Sequence, residues 1–211
     1  FVPTSHLAFK VDRPVGLHYH FGTLGQLQHG QAYAHHFLAA VGKVPVPKDR
    51  SLSEADMPKV KYVKLFVLGG QRNMEGERAY VAEIEQFPHY AGLLNDQGVL
   101  YRYSLGDVTS SRNWEPLGVV DYLGNFGPEL SFGRAMRRHL DRSHGLAIYK
   151  FTHSGAQSID WLPEGSQEKH RDLYAKWIGG IKRCREDLTE RGYDCEIPGI
   201  FWHCSENDGA L

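Results

Sequence analysis

Apolar residues in the second two thirds of the chain fall into continuous runs rather than alternating ones. Residues 60–69, 145–151 and 197–202 are rich in Val, Ile, Leu, Tyr and Phe. Short unbroken runs of this kind mark strands buried on both faces. Between the last two runs the period changes. Leu173, Trp177, Ile181, Cys184 and Leu188 recur at intervals of 4, 4, 3 and 4, the one-sided stripe of an amphipathic helix. That helix is predicted over residues 167–191, with Gly192 as its stop. A second helix is predicted from Gly127-Pro128-Glu129-Leu130 to about residue 142. Pro128 suits a first helical position, where a backbone donor is spare, and Glu129 complements the positive helix end. Strand, helix, strand, helix, strand with right-handed crossovers predicts an α/β fold around a parallel sheet. Residues 77–125 carry no such period and are predicted as an irregular insert with scattered aromatics.

Residues 1–58 are patterned differently. They carry Gly16, Gly22, Gly25, Gly30 and Gly42, and a proline-marked exit at Pro45, Pro47 and Pro58. Lys43-Val44-Pro45-Val46-Pro47-Lys48-Asp49-Arg50 reads as an extended linker. Residues 31–41 are predicted as a short helix. The expected division is an N-terminal arm and linker over 1–58, outside the fold, and one α/β domain over 59–211.

Composition narrows the function classes. The chain has 211 residues, 41% of them hydrophobic and 23% charged, enough for one globular domain plus an appendage. A net charge of -1 gives no basic surface, so nucleic acid is not an expected partner. No apolar stretch approaches the roughly 20 residues of a membrane span. The chain begins with Phe1 rather than Met, which is expected of a processed product or a fragment. Of the three cysteines, Cys184 and Cys195 are spaced to close a short loop by a disulfide; three reduced thiols fit equally well.

The chemistry is expected at the end of the first strand. Ligands of open parallel sheets bind beyond the carboxyl ends of the strands, and there the run Leu65-Phe66-Val67-Leu68 meets Gly69-Gly70-Gln71-Arg72-Asn73-Met74-Glu75-Gly76. This segment resembles the first block of the SGNH hydrolases, in the branch of sialate O-acetylesterases and related carbohydrate acetylesterases. That branch reads Gly-Gln-Ser-Asn-Met-x-Gly. Three further patches resemble it in order. Phe126-Gly127-Pro128-Glu129-Leu130-Ser131-Phe132-Gly133 is similar to its helix-opening Gly-Pro-Glu segment. Lys150-Phe151-Thr152-His153-Ser154-Gly155, with Trp161 beyond, is similar to a strand end reading Lys, then Gly-Gly, then Trp. Trp202-His203-Cys204-Ser205-Glu206-Asn207-Asp208 is similar to Trp-x-Gln-Gly-Glu-x-Asp. The resemblance implies an SGNH, flavodoxin-like, three-layer parallel sheet, incomplete at its C-terminal end, and no cofactor.

It also implies acyl transfer, in which a serine attacks an acetyl ester, donors hold the oxyanion and an Asp-x-x-His block supplies the base. Carried over residue by residue, the pattern is broken here. Arg72 occupies the nucleophile position, and a guanidinium has no lone pair to attack with. Gly155 matches one oxyanion glycine, but Ser154 replaces its partner. Cys204 stands where a glutamine donor is expected, and Ser205 where a glycine is. Glu206 and Asp208 are retained, and the Asp-x-x-His block has no counterpart. Loss of a catalytic serine alone costs on the order of a millionfold in rate. The expected protein is therefore a catalytically inactive relative serving as a structural or interaction subunit of an assembly. Two alternatives stand beside it: a carbohydrate O-acetylesterase with displaced residues, using Ser154 or Ser205 with His153 or His203, and a carbohydrate-binding module using the old cleft. Gln71, Arg72, Asn73, Glu129, Glu206 and Asp208 are the candidate ligand-binding residues. Arg72 is expected to pair with Glu206, Asp208 or Glu129, since an unpaired half-buried charge is costly.

The remaining candidates are weaker in pattern. His18, His20, His29, His35 and His36 cluster in the arm and read either as loop residues or as zinc or copper ligands. Tyr101, Tyr103, Trp114, Tyr122 and Phe126 form either the core of the insert or a sugar-stacking platform. His139 and His144 are expected on the surface at a helix end. An uncovered sheet edge invites pairing, so the arm or other protein chains, in a homo- or hetero-oligomer, are expected to cover it. The resemblance favours an extracellular or periplasmic location.

Overall fold

The computed structural model of the chain describes residues 9–12, 18–42, 60–90, 92–94, 96–119, 124–141, 143–167, 170–205 and 208. The proposed linker at 43–50, Tyr122 and Glu206 lie outside the described residues, as does the side chain of His18. In chain order the elements are β1 (Phe9–Asp12), β2 (His18–Phe21), α1 (Thr23–Ala40), β3 (Tyr62–Gly70), α2 (Arg72–Glu75), β4 (Asp96–Leu105), β5 (Thr109–Ser110), β6 (Glu115–Leu117), α3 (Glu129–Arg137), β7 (His144–Thr152), α4 (Leu173–Glu190) and β8 (Asp194–His203). Short 3-10 segments lie at Val81–Gln86, Pro88–Tyr90 and Ser158–Trp161.

β1 and β2 form a separate antiparallel pair. The central sheet runs β5-β4-β7-β3-β8, with β6 also on β4. β4, β7, β3 and β8 are parallel, and β5 and β6 run antiparallel to β4. Set β4 aside and the order β7-β3-β8 places the first strand between the second and third. That is how a flavodoxin-like sheet begins; β4 has been inserted outside β7.

Both faces of β3 are buried because its side chains alternate between two helical layers. Val63, Leu65 and Val67 join the core under α4, with Tyr149 and Leu188. Phe66 and Leu68 join the opposite core, with Leu130 and Phe132 of α3. β8 changes phase midway. An extra residue between Glu196 and Gly199 interrupts its register with β3, and Pro198, which has no amide proton, sits within that bulge. Cys195 and Ile197 therefore pack toward α4 before the bulge, and Cys204 does so after it, while Phe201 packs with the other layer.

Several expectations need correction. The N-terminal arm is not wholly outside the fold. α1 is longer than the predicted 31–41, and it buries Leu27, Tyr33, Ala34 and Leu38 in the core with Phe66. Gly30 permits the approach to α3: a Cβ there would lie 2.0 Å from the Pro128 carbonyl oxygen. The insert is not irregular throughout, since it contains the ten-residue strand β4. Tyr101, Trp114 and Phe126 are core residues rather than a platform, and Tyr103 packs beside them half-buried. α3 ends at Arg137, not near 142. α4 starts at Leu173 rather than 167, because Asp172 caps it by accepting from the Ala175 amide at 3.3 Å. Cys184, Cys195 and Cys204 are free thiols. His144 stacks on Tyr62 across β7 and β3.

Among the described residues no strand pairs with the outer side of β8, where Ile200 is 55% exposed and Trp202 40%. No helix among them is long and apolar enough to cross a membrane.

Candidate active site

Three strand ends meet at one point. The Gln71 amide donates to the His203 carbonyl at 3.1 Å, and the His153 amide donates to the Gly70 carbonyl at 3.0 Å. The turns after β3, β7 and β8 are thus held side by side, and three of the four motif patches converge there. The fourth is attached from below. Lys150 Nζ lies 2.8 Å from Glu129 Oε2 and donates to the Glu75 carbonyl at 2.9 Å, and Glu129 Oε1 accepts from the Gly127 amide at 2.9 Å. This buried group ties α2 and the start of α3 to the end of β7.

Arg72 opens α2, with its side chain 29% exposed. Its Nε donates to Ser154 Oγ at 3.2 Å and lies 3.3 Å from Glu77 Oε2. The same carboxylate oxygen lies 3.7 Å from His20 Nε2. Arg72 therefore pairs with Glu77, not with Glu129 or Asp208. Glu129 is fully buried and held by Lys150, and Asp208 accepts from the Ser158 amide at 3.0 Å. Glu77 wins because it sits five residues along the same turn, one residue past the left-handed Gly76 that closes α2.

The N-terminal segment reaches this site. Asn73 Oδ1 accepts from the Phe21 amide at 2.9 Å, and the Asn73 carbonyl accepts from Gln26 Nε2 at 2.6 Å. His20, predicted as a metal candidate, is buried beside Glu77 instead. His29 is buried against Phe21, Tyr33 and His203. His35 and His36 lie together on α1 with ring centres 5.6 Å apart. Among the described residues no three His, Cys, Asp or Glu side chains converge as a metal ligand set.

Among the described residues neither alternative nucleophile is hydrogen-bonded to an imidazole: Ser154 meets a guanidinium and Ser205 a second hydroxyl. Ser154 Oγ is held by Arg72, while His153 Nδ1 sits 3.0 Å from the Ser154 carbonyl and its Nε2 3.7 Å from Asp107. Ser205 Oγ lies 2.8 Å from Ser158 Oγ, which in turn donates to Asp208. His203 turns to Phe21 and His29. Ser205 adopts φ +85°, a left-handed conformation that disfavours a Cβ and suits the glycine its motif position resembles.

Gly155, also left-handed, has open space where a Cβ would be. Arg171 Nη1 holds this turn by donating to the Gly155 carbonyl at 3.0 Å and to Asp160 Oδ2 at 3.1 Å. Cys204 packs against the α4 core. Glu75 accepts from Thr152 Oγ1 at 2.9 Å, and burial raises its pKa above the usual carboxylate range, against the lowering effects of Thr152 and Lys150. Glu77, Ser158 and the site role of His20 were not anticipated. Of these only Glu77 had a local signal, an acid one residue beyond the turn glycine.

The family comparison agrees with this frame. The model of a family described as carbohydrate esterase, sialic acid-specific acetylesterase (SASA) matches residues 62–210. The chain belongs to that family. α1 precedes the matched region and docks onto Asn73 within it. Among solved structures, an Arabidopsis thaliana protein determined by X-ray crystallography is 20% identical, with a TM-score of 0.45. The match covers 69% of this chain and 58% of that one. No curated protein sequence matches the chain.

Proposed function

We propose that this acetylesterase-family domain does not hydrolyse esters through the family's serine position, and that it serves as a structural or interaction subunit. One observation carries the reading: Arg72 Nε bridges Ser154 Oγ and Glu77 Oε2. The guanidinium at the nucleophile position is an internal tie between the turns after β3 and β7. A permanently protonated side chain there can neither attack an acyl carbon nor accept a proton. The outer side of β8, with Ile200 and Trp202 exposed, is the surface proposed for another protein chain. An extracellular or periplasmic location fits the family.

A second reading is a serine-type carbohydrate acetylesterase with a displaced nucleophile. It is favoured by the Ser205–Ser158–Asp208 hydrogen-bonded chain, which ends on a carboxylate. The two are separated by incubating the protein with p-nitrophenyl acetate and an acetylated sugar. The first reading expects no turnover above background. Turnover abolished by Ser205→Ala or Ser154→Ala overturns it in favour of the second. Sedimentation at dilute concentration tests the subunit role, which a stable monomer that captures no further copy of itself or protein partner would contradict.

A further inference from the structure

α4 packs on β8, β3 and β7, and the sheet continues past it through β4 and β5. The step between helix and sheet is a cleft of about 420 Å³. Its floor comes from alternate residues of the strands, which share one face. Arg102 and Ser104 of β4 line it, and Ser110 of β5 is the register partner of Ser104. Its wall is one stripe of α4: Lys176, Gly180 and Arg183 stand at i, i+4 and i+7. Gly180 leaves room for the Tyr149 hydroxyl, since a Cβ there would lie 1.9 Å from it.

The charges in this cleft are unbalanced. Among the described residues, neither Arg102 nor Arg183 has a carboxylate within ion-pair distance. Arg102 spends one donor, Nη2, on the Arg112 carbonyl at 3.1 Å, which fixes its side chain and leaves the rest of the fork open. Lys176 has Asp107 at 3.7 Å, and that acid is largely exposed at the cleft rim. The neighbouring donors are neutral hydroxyls. Burial holds Tyr149 well above the usual phenol range, so it stays protonated.

We infer that this cleft binds the tetrahedral oxyanion of a phosphate or sulfate ester. Two unpaired guanidinium forks suit such an oxyanion, which accepts parallel charge-assisted bonds. The flanking Ser104 and Ser110 hydroxyls add neutral donors. The volume exceeds what a bare anion fills and falls in the range of small-ligand sites, leaving space for a monosaccharide-sized body. The inference does not depend on whether the Arg72 site is active.

The test is calorimetric titration of the whole chain at low salt with glucose 6-phosphate, glucose 6-sulfate and inorganic phosphate. One ester binds more tightly than inorganic phosphate, and its affinity falls as sodium chloride screens the charges. Arg102→Gln and Arg183→Gln each weaken it by about tenfold, the scale of one lost charge-assisted contact, whereas Lys182→Gln, an exposed cation of α4 outside the cleft lining, leaves it nearly unchanged. The tighter ester identifies the source of the oxyanion. Failure of all three ligands to bind overturns the inference, as does a preference for inorganic phosphate or full affinity in the Arg102→Gln/Arg183→Gln double variant. Amide chemical-shift mapping on the unmodified chain gives the same answer without variants: shifts at residues 102–104, 110 and 176–183 support the site, and shifts elsewhere alone refute it.

Discussion

Lys150 Nζ and Glu129 Oε2 lie 2.8 Å apart with both side chains removed from solvent. Through this pair the end of β7 holds the start of α3, and through the Glu75 carbonyl it also holds α2. The candidate site therefore rests on a buried charge pair that takes no part in its outer surface.

Breaking that pair leaves one uncompensated charge in the core. Lys150→Met is expected to cost about 3–5 kcal/mol, the usual penalty for removing one partner of a buried ion pair. Adding Glu129→Leu should recover much of the loss, though not all, because the Glu75 carbonyl and Gly127 amide remain without partners. Urea unfolding of the two variants checks this; a double variant no more stable than the single one contradicts it.

Glu75 supplies a pH dependence. Its folded pKa is raised above the 4.5 of a free glutamate, chiefly by burial. In the window above 4.5 the folded state holds a proton that the unfolded state has released, so this group's contribution to stability falls as pH rises. Glu75→Gln removes the titration. The variant should gain on the wild type between pH 4.5 and 7 in denaturant unfolding, and a constant difference would show that Glu75 titrates alike in both states.

Thiol labelling should rank the cysteines. Burial pushes Cys184 up to about 12 and also raises Cys195. The thiolate is the reactive form, and Cys184 is also covered by α4 packing. At pH 8 the native protein should label at Cys204 first and at Cys184 last, with all three labelled equally fast in denaturant. Peptide mapping by mass spectrometry reads the order, and early modification of Cys184 would contradict the packing.

Gly76 closes α2 at φ +94°, and a Cβ on it would lie 1.8 Å from the Phe126 carbonyl oxygen. Gly76→Ala should cost more than the roughly 1–2 kcal/mol of a left-handed residue alone, because the clash is with backbone that cannot rotate away. The denaturation midpoint measures it.

The α/β rhythm, the positions of β3, β7, α4 and β8, and the family resemblance were all legible in the sequence. Each rests on a local signal: unbroken apolar runs, a 3.6-residue stripe, or a short motif at a strand end. β4 was missed although Val99-Leu100-Tyr101-Arg102-Tyr103 has strand composition; its polar, aromatic mixture hides a strand that is buried mainly by its neighbours. The sequence hides most of α1 because its glycines lower helix propensity, and one of them, Gly30, serves close packing on α3. Which acid pairs with Arg72 could not be read from composition, because the choice depends on which carboxylates the fold has already spent elsewhere. Among the described residues Glu129 is committed to Lys150 and Asp208 to Ser158, and Arg72 meets Glu77. The sequence by itself determined β3, β7, α4, β8 and the turn that carries Arg72, each set by residues near one another in the chain. Only the tertiary structure decided the partners, since side chains far apart in the chain meet only when the elements pack: Lys64 and Glu196, 132 residues apart, are brought together by the pairing of β3 with β8.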